Sequence, residues 1–278
     1  MKTLLAYITQ TENAESFIDY SAKLSKDLNY NLHFLYVQPN DAHVYSKSLT
    51  ARPTIELDPF YKKEKERVEK YFQTIQDKMS KEQGIDFSFE IGTDILVLEE
   101  YISKNKVHII AFEGNNQNNI FSLELSSIDL ISKVNCPVII VPENTEYKKY
   151  EKVLYATNYN EEDIKTLKNL ISLTKNFSPE ITALHVTESS DFEKKTLEVG
   201  FNELVQREAK YDKILIQSLV NHDSSIAEAI NDFASIDNSD LIVLLKENTG
   251  FLESIFKSST TEKLLKKSQT PVLVYQEK

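Results

Sequence analysis

The chain contains the same plan twice, and this duplication constrains its fold more than any other feature. Leu4-Leu5-Ala6-Tyr7-Ile8-Thr9 near the start is matched past the middle by Val153-Leu154-Tyr155-Ala156-Thr157-Asn158. Each is a short apolar run that gives way to polar turn residues and then to a helical pattern. A second apolar run follows in each copy, Leu32–Val37 and Ile181–Val186, and each copy closes on Pro-led strands, Pro137–Val141 and Pro271–Tyr275. Thr9 to Asn158 and Val37 to Val186 are both separated by 149 positions, whereas Pro137 to Pro271 is 134. The first copy therefore holds about 15 extra residues in its middle. These fall around Asn40–Tyr61, which is polar and includes Pro39, Pro53 and Pro59 nearby, and a long loop costs little extra closure entropy.

Each copy alternates strand and helix. In the first, strands are predicted at Thr3–Ile8, Leu32–Val37, Phe87–Ile91, Val107–Phe112 and Pro137–Val141, and helices at Asn13–Leu28, Pro59 to about Lys81, Ile95–Ser103 and Ser126–Val134. In the second, strands are predicted at Lys152–Ala156, Ile181–Val186, Ile214–Leu219, Asp240–Leu245 and Val272–Tyr275. The helices between them are Glu161–Thr174, Asp191–Glu208, Ser225–Phe233 and Thr260–Lys267. Nearly continuous Val, Ile and Leu in strands that alternate with helices imply a parallel sheet covered on both faces. Right-handed crossovers then give two Rossmann-like, doubly wound α/β sheets in tandem. The domain boundaries expected are 1–143 and 150–278, joined by a short polar linker.

Composition excludes several classes. A 41% hydrophobic and 27% charged chain supports two real cores, and no apolar run approaches the ~18 residues needed to span a bilayer. A single cysteine, Cys136, allows no internal disulfide and fits a reducing cytoplasm. A net charge of −11 argues against nucleic-acid binding. His33, His43, His108, His185 and His222 lack metal-ligand spacing, and His33 and His185 occupy near-equivalent positions on the second strands, which suggests a structural role. Cys136 reads as a small buried thiol. Tyr45, Phe60 and Tyr61, in the insertion, are candidates for a lid or a partner surface.

The order and spacing of these pieces resemble the universal stress protein family in its tandem form. Leu154-Tyr155-Ala156-Thr157-Asn158-Tyr159, Leu184-His185-Val186, Asp240-Leu241-Ile242-Val243 and the run from Ser258 to Leu265 into Pro271-Val272-Leu273-Val274 carry the resemblance. It implies strand order 3-2-1-4-5 in each half and pairing through the last strands, here inside one chain as a pseudo-dimer, with a further homodimer left open. One subclass of the family binds ATP. There an aspartate ends the first strand, and a loop of the form G-x-x-G-x9-G-[ST] after strand four wraps the phosphates, because bare backbone N–H groups must approach the oxygens.

This chain departs from that pattern in both halves. Thr9 and Asn158 stand at the aspartate position. Gly114 is retained, but Gln117 takes the second glycine position, and Glu124 and Leu125 fall where glycine and a hydroxyl residue are expected. In the second half Leu245, Asn248 and Ser258 replace the glycines, while Ser259 keeps the hydroxyl, followed by Thr260. The strand-end residues Val37, Ala156 and Val186 complete the candidate binding set. Two readings follow from the resemblance. One is a non-enzymatic cytoplasmic stress-response scaffold with degenerate nucleotide sites and no cofactor. The other is an adenine-nucleotide (ATP or AMP) binder, or slow ATPase, that uses mainly the second half, where Asn158, Ser258, Ser259 and Thr260 form a small polar anion site. The alternative for those hydroxyls is ordinary helix capping ahead of Glu262. Adenylyl-transfer and flavoprotein relatives rank last, since their motifs are absent.

Overall fold

The computed structural model describes residues 2–8, 10–39, 59–79, 84–92, 94–114, 131, 134–189, 192–222, 224–246 and 268–277. The strands are β1 (Thr3–Ile8), β2 (Asn31–Pro39), β3 (Ile85–Gly92), β4 (Ile109–Gly114), β5 (Val138–Pro142), β6 (Lys152–Ala156), β7 (Glu180–Thr187), β8 (Ile214–Val220), β9 (Leu241–Lys246) and β10 (Val272–Gln276). The helices are α1 (Glu15–Leu28), α2 (Pro59–Lys78), α3 (Asp94–Lys104), α4 (Glu161–Leu173), α5 (Phe192–Glu208) and α6 (Ile226–Asp237). The helices expected at Ser126–Val134 and Thr260–Lys267 and the insertion from Asn40 to Asp58 lie largely or wholly outside the described residues.

By compactness the chain divides into Met1–Ile110 and Ala111–Lys278, within β4 and not at the polar linker. Sequence repetition marks what was duplicated, whereas compactness follows contacts, and β5 contacts β10. In the first unit the strand order runs β3-β2-β1 and on to the start of β4; in the second it is β4-β5-β10-β9-β6-β7-β8. Each repeat thus has the order 3-2-1-4-5, with parallel neighbours β1–β2, β2–β3, β6–β7, β7–β8, β6–β9 and β9–β10. β5 and β10 pair antiparallel with Leu273 opposite Ile139, Val272 opposite Ile140 and Val274 opposite Val138. Leu273 and Ile139 are the same position of the repeat, so the pairing is symmetric about that point, as an isologous contact requires. An edge that would otherwise expose unpaired backbone is closed by its own duplicate.

Burial explains the two kinds of strand. Leu4, Leu5 and Ala6 of β1, Val153–Tyr155 of β6 and Leu241–Leu245 of β9 are buried without alternation, because helices cover both faces. The outer strands β3 and β8 are half-buried to exposed, with no fully buried residue in either. Aromatic stacking fastens α2 to its sheet, with Phe72 ring centroids 5.2 Å from Phe34 and 4.3 Å from Phe87. Left-handed turns rely on asparagine more than glycine: Asn29 (φ 58°) and Asn238 (φ 56°) end α1 and α6. Asparagine tolerates this region, so a chain with five glycines still closes its helices.

Two expectations need correction. Tyr61 is not a free loop aromatic: it is buried in the first turn of α2, its ring edge-on to Phe60, which is 61% exposed. His33 and His185 are not equivalent either. The 149-residue shift pairs His185 with Tyr36 and His33 with Thr182, three positions apart. An odd offset on a strand puts the two side chains on opposite faces. Cys136 is a buried free thiol, as expected.

Candidate functional site

In open α/β sheets ligands bind at the carboxyl ends of the strands, where the winding reverses. In the second repeat that place is the loop leaving β6, from Thr157 to Asn160. Its geometry is set by Asp163, the third residue of α4, whose side chain is 1% exposed. The carboxylate accepts from Tyr155 Oη (2.6 Å), Thr157 Oγ1 (2.9 Å), the Asn158 N–H (2.9 Å) and the Asn160 N–H (3.1 Å). The Asn160 side chain in return accepts from the Asp163 N–H at 2.8 Å, completing a capping box. A carboxylate fully removed from water is tolerable only with such a complement of donors, helped by the positive end of the helix. Ala156 and Val186 are buried, and Asn158 sits half-buried on this fixed loop.

Next to Asn158, Tyr159 has φ 64°, unusual for a bulky residue. Its ring packs 4.6 Å from His185 and 4.9 Å from Phe201 of α5. The Ser218 hydroxyl donates to Glu198 Oε2 (2.6 Å), so Tyr159 Oη donates to Ser218 Oγ (2.9 Å). Burial pushes the Tyr159 phenol up to about 12, and the nearby Glu198 carboxylate adds to this, so it remains a donor. His185 Nδ1 lies 2.9 Å from the Thr157 carbonyl, which can only accept, so Nδ1 carries the proton. Burial lowers the His185 pKa, and the imidazole is neutral at pH 7.

The first unit solves the same loop differently. Ala6, Ile8 and Ala14 occupy the places of Tyr155, Thr157 and Asp163, all buried and apolar. Thr11, at the place of Asn160, instead accepts from Arg67 Nη1 of α2 at 2.8 Å. Arg67 also makes a two-pronged contact with Glu64 (2.9 and 2.5 Å) and lies 3.7 Å from Glu12. The guanidinium is thus already neutralised. Val37 is buried within β2, and Thr9 lies outside the described residues.

At the end of β4, in the second unit, a Cβ added to Gly114 would come within 3.2 Å of Ile140 Cγ2. Close packing against β5 alone accounts for glycine there. Its neighbour Glu113 is pushed up to about 7, first by burial and then by the Glu143 carboxylate. Gln117, Asn248, Ser258, Ser259 and Thr260 lie outside the described residues. The fold thus brings Ala156, Asn158 and Val186 to one end of the second sheet. Asp163 and Tyr159 were missed by sequence reading; the Asn-x-x-Asp spacing after a strand was the available signal. Among the described residues no group of His, Cys, Asp or Glu is arranged to hold a metal ion, and no helix is long and apolar enough to cross a membrane.

Fold and loop define a tandem, doubly wound α/β protein. The family model of the universal stress protein family matches residues 149–276. A universal stress protein from Archaeoglobus fulgidus superposes on the whole chain, covering 99% of it and 96% of its own length at TM-score 0.71 and 17% identity. A Pseudomonas aeruginosa protein of unknown function covers 99% and 92% at TM-score 0.59 and 16% identity. The cytoplasmic domain of a prokaryotic cation chloride cotransporter covers 98% and 94% at TM-score 0.54 and 10% identity. No protein of curated function matches the sequence. The second repeat is a universal stress protein domain, and the whole chain has the tandem form of that fold.

Proposed function

We propose that this protein is a cytoplasmic stress-response scaffold, with domains at 1–143 and 150–278, that binds partners without catalysing a reaction and whose nucleotide crevices are degenerate. One observation carries this reading. The carboxylate beside the loop leaving β6, Asp163, is turned inward and its bonds are used to hold the loop, while Asn158 on that loop is uncharged. Leu245, Asn248 and Ser258 at the family's glycine positions, with Gly250 off register, support it, since side chains there keep phosphate oxygens from backbone N–H groups. Differential scanning fluorimetry with ATP and Mg²⁺ tests the reading. No shift is expected, and a clear rise in Tm at millimolar ATP overturns it.

The rigidity of the 157–160 loop favours a second reading, adenine-nucleotide binding in the second domain alone. A preformed loop loses little entropy on binding. If ATP does shift the melting curve, substituting Asn158 and Ser259 together should abolish the effect; an unchanged shift places the nucleotide elsewhere. Since β5 and β10 occupy each other's edges, a homodimer would have to use other surfaces.

A further inference from the structure

The first unit holds a cavity of about 630 Å³ between β2, β3 and α3. Its wall includes His33, Asp86, Ser88, Glu90 and Tyr101. The volume falls in the range of small-ligand sites. We propose that this cavity binds a linear aliphatic amine bearing at least two ammonium groups.

The spacing selects that chemistry. Asp86, Ser88 and Glu90 alternate onto one face of β3, and the two acids are roughly 13 Å apart along the strand. That is too far for one metal ion, whose ligands stand ~2–2.6 Å away, but suits ammonium groups joined by methylenes. Neither acid makes an ion pair or hydrogen bond with another described residue. Between them Ser88 Oγ meets His33 Nε2 at 3.0 Å, and the His33 and Tyr101 rings lie 5.1 Å apart. Such ring faces accept methylene chains and attract cations. Burial, opposed by Asp86, lowers the His33 pKa, so the imidazole is neutral and does not repel a cation. Lys104, at the rim, is tied to Glu100 at 2.6 Å.

The fold itself does not require these charges. In the second repeat the same places hold Leu215, Gln217 and Leu219 on β8, Thr182 for His33, Phe233 for Tyr101 and Ile236 for Lys104. Leu215 and Ile236 are 60% and 82% exposed, so water reaches this face there too. The acids are a property of the first repeat alone.

Isothermal titration calorimetry of the full chain with spermidine at low salt tests the site. One saturable site per chain is expected. Asp86 and Glu90 are exposed, so Asp86→Asn with Glu90→Gln should weaken it about tenfold to twentyfold, roughly three- to fivefold for each solvent-screened charge contact removed. Asp19→Asn with Glu69→Gln removes the same charge from exposed positions elsewhere and should leave binding unchanged. Absence of a saturable heat, equal binding by the cavity variant, or equal loss in the surface variant overturns the proposal. The outcome is independent of nucleotide binding, because the two sites share no residue.

Discussion

The loop after β6 and the loop after β1 descend from the same segment, yet they are held by opposite means. In the second repeat a buried carboxylate gathers a tyrosine, a threonine and two backbone N–H groups. In the first, alanine and isoleucine fill that space, and Arg67 reaches over from α2 to hold Thr11. Nothing intermediate is seen, and the physical reason is plain. A partly satisfied buried polar network is worse than an apolar core, so Asp163 and its donors must be present together or absent together. The difference teaches that duplicated loops diverge in blocks.

The comparison breaks most directly at Asp163. Asp163→Ala strips the acceptor from four donors, among them the fully buried Tyr155 hydroxyl, and should cost about 3–5 kcal/mol in urea unfolding. Loss below about 1 kcal/mol would show that the network is not what holds the loop. The converse change, Ala14→Asp, places the same acid among apolar neighbours and should destabilise by about 3 kcal/mol at pH 7, the loss shrinking in acid as the carboxyl protonates. If the two repeats were interchangeable, this substitution would be neutral.

Glu113 sharpens the contrast through pH. Its pKa is raised in the folded protein, so the folded state holds the proton more tightly than the unfolded one. Stability from this group is present below the ordinary carboxylate range and is lost as pH rises through about 7. Glu113→Gln should therefore flatten the stability decline between pH 5 and 8 and gain roughly 1–2 kcal/mol at pH 8, discounted for partial exposure. Thermal melts across that range read it. The smallest effect is expected from Tyr159→Phe, which removes the bond to Ser218 but keeps the ring against His185 and Phe201, for about 1 kcal/mol.

Much of the architecture was legible because it rests on periodicity. Continuous apolar runs gave β1, β6 and β9, and the 149-residue shift gave the repeat. Helix boundaries moved by a few residues, as with α6, which extends to Asp237 where Asn238 turns left-handed. The site was less legible. Asn158 lies two residues past the end of β6, and Asp163 read as one more acid in Glu161-Glu162-Asp163. Its partners Tyr155 and Thr157 lie on a strand whose other members are core, and only a strand-to-helix turn brings all three to one point. The supposed kinship of His33 and His185 failed because spacing within a motif does not fix the face of a strand.

The order of apolar and polar residues, written twice, was enough to specify two doubly wound repeats, though not that their last strands join them into one sheet instead of two; burial of backbone and apolar area depends mainly on local pattern. Which acid is buried, which glycine packs against a neighbouring strand and which carboxylates share a cavity wall were decided only in three dimensions. Hydrogen bonding and close packing act over about 3 Å between residues on separate elements, and only the Asn-x-x-Asp spacing gave a linear sign of such an approach.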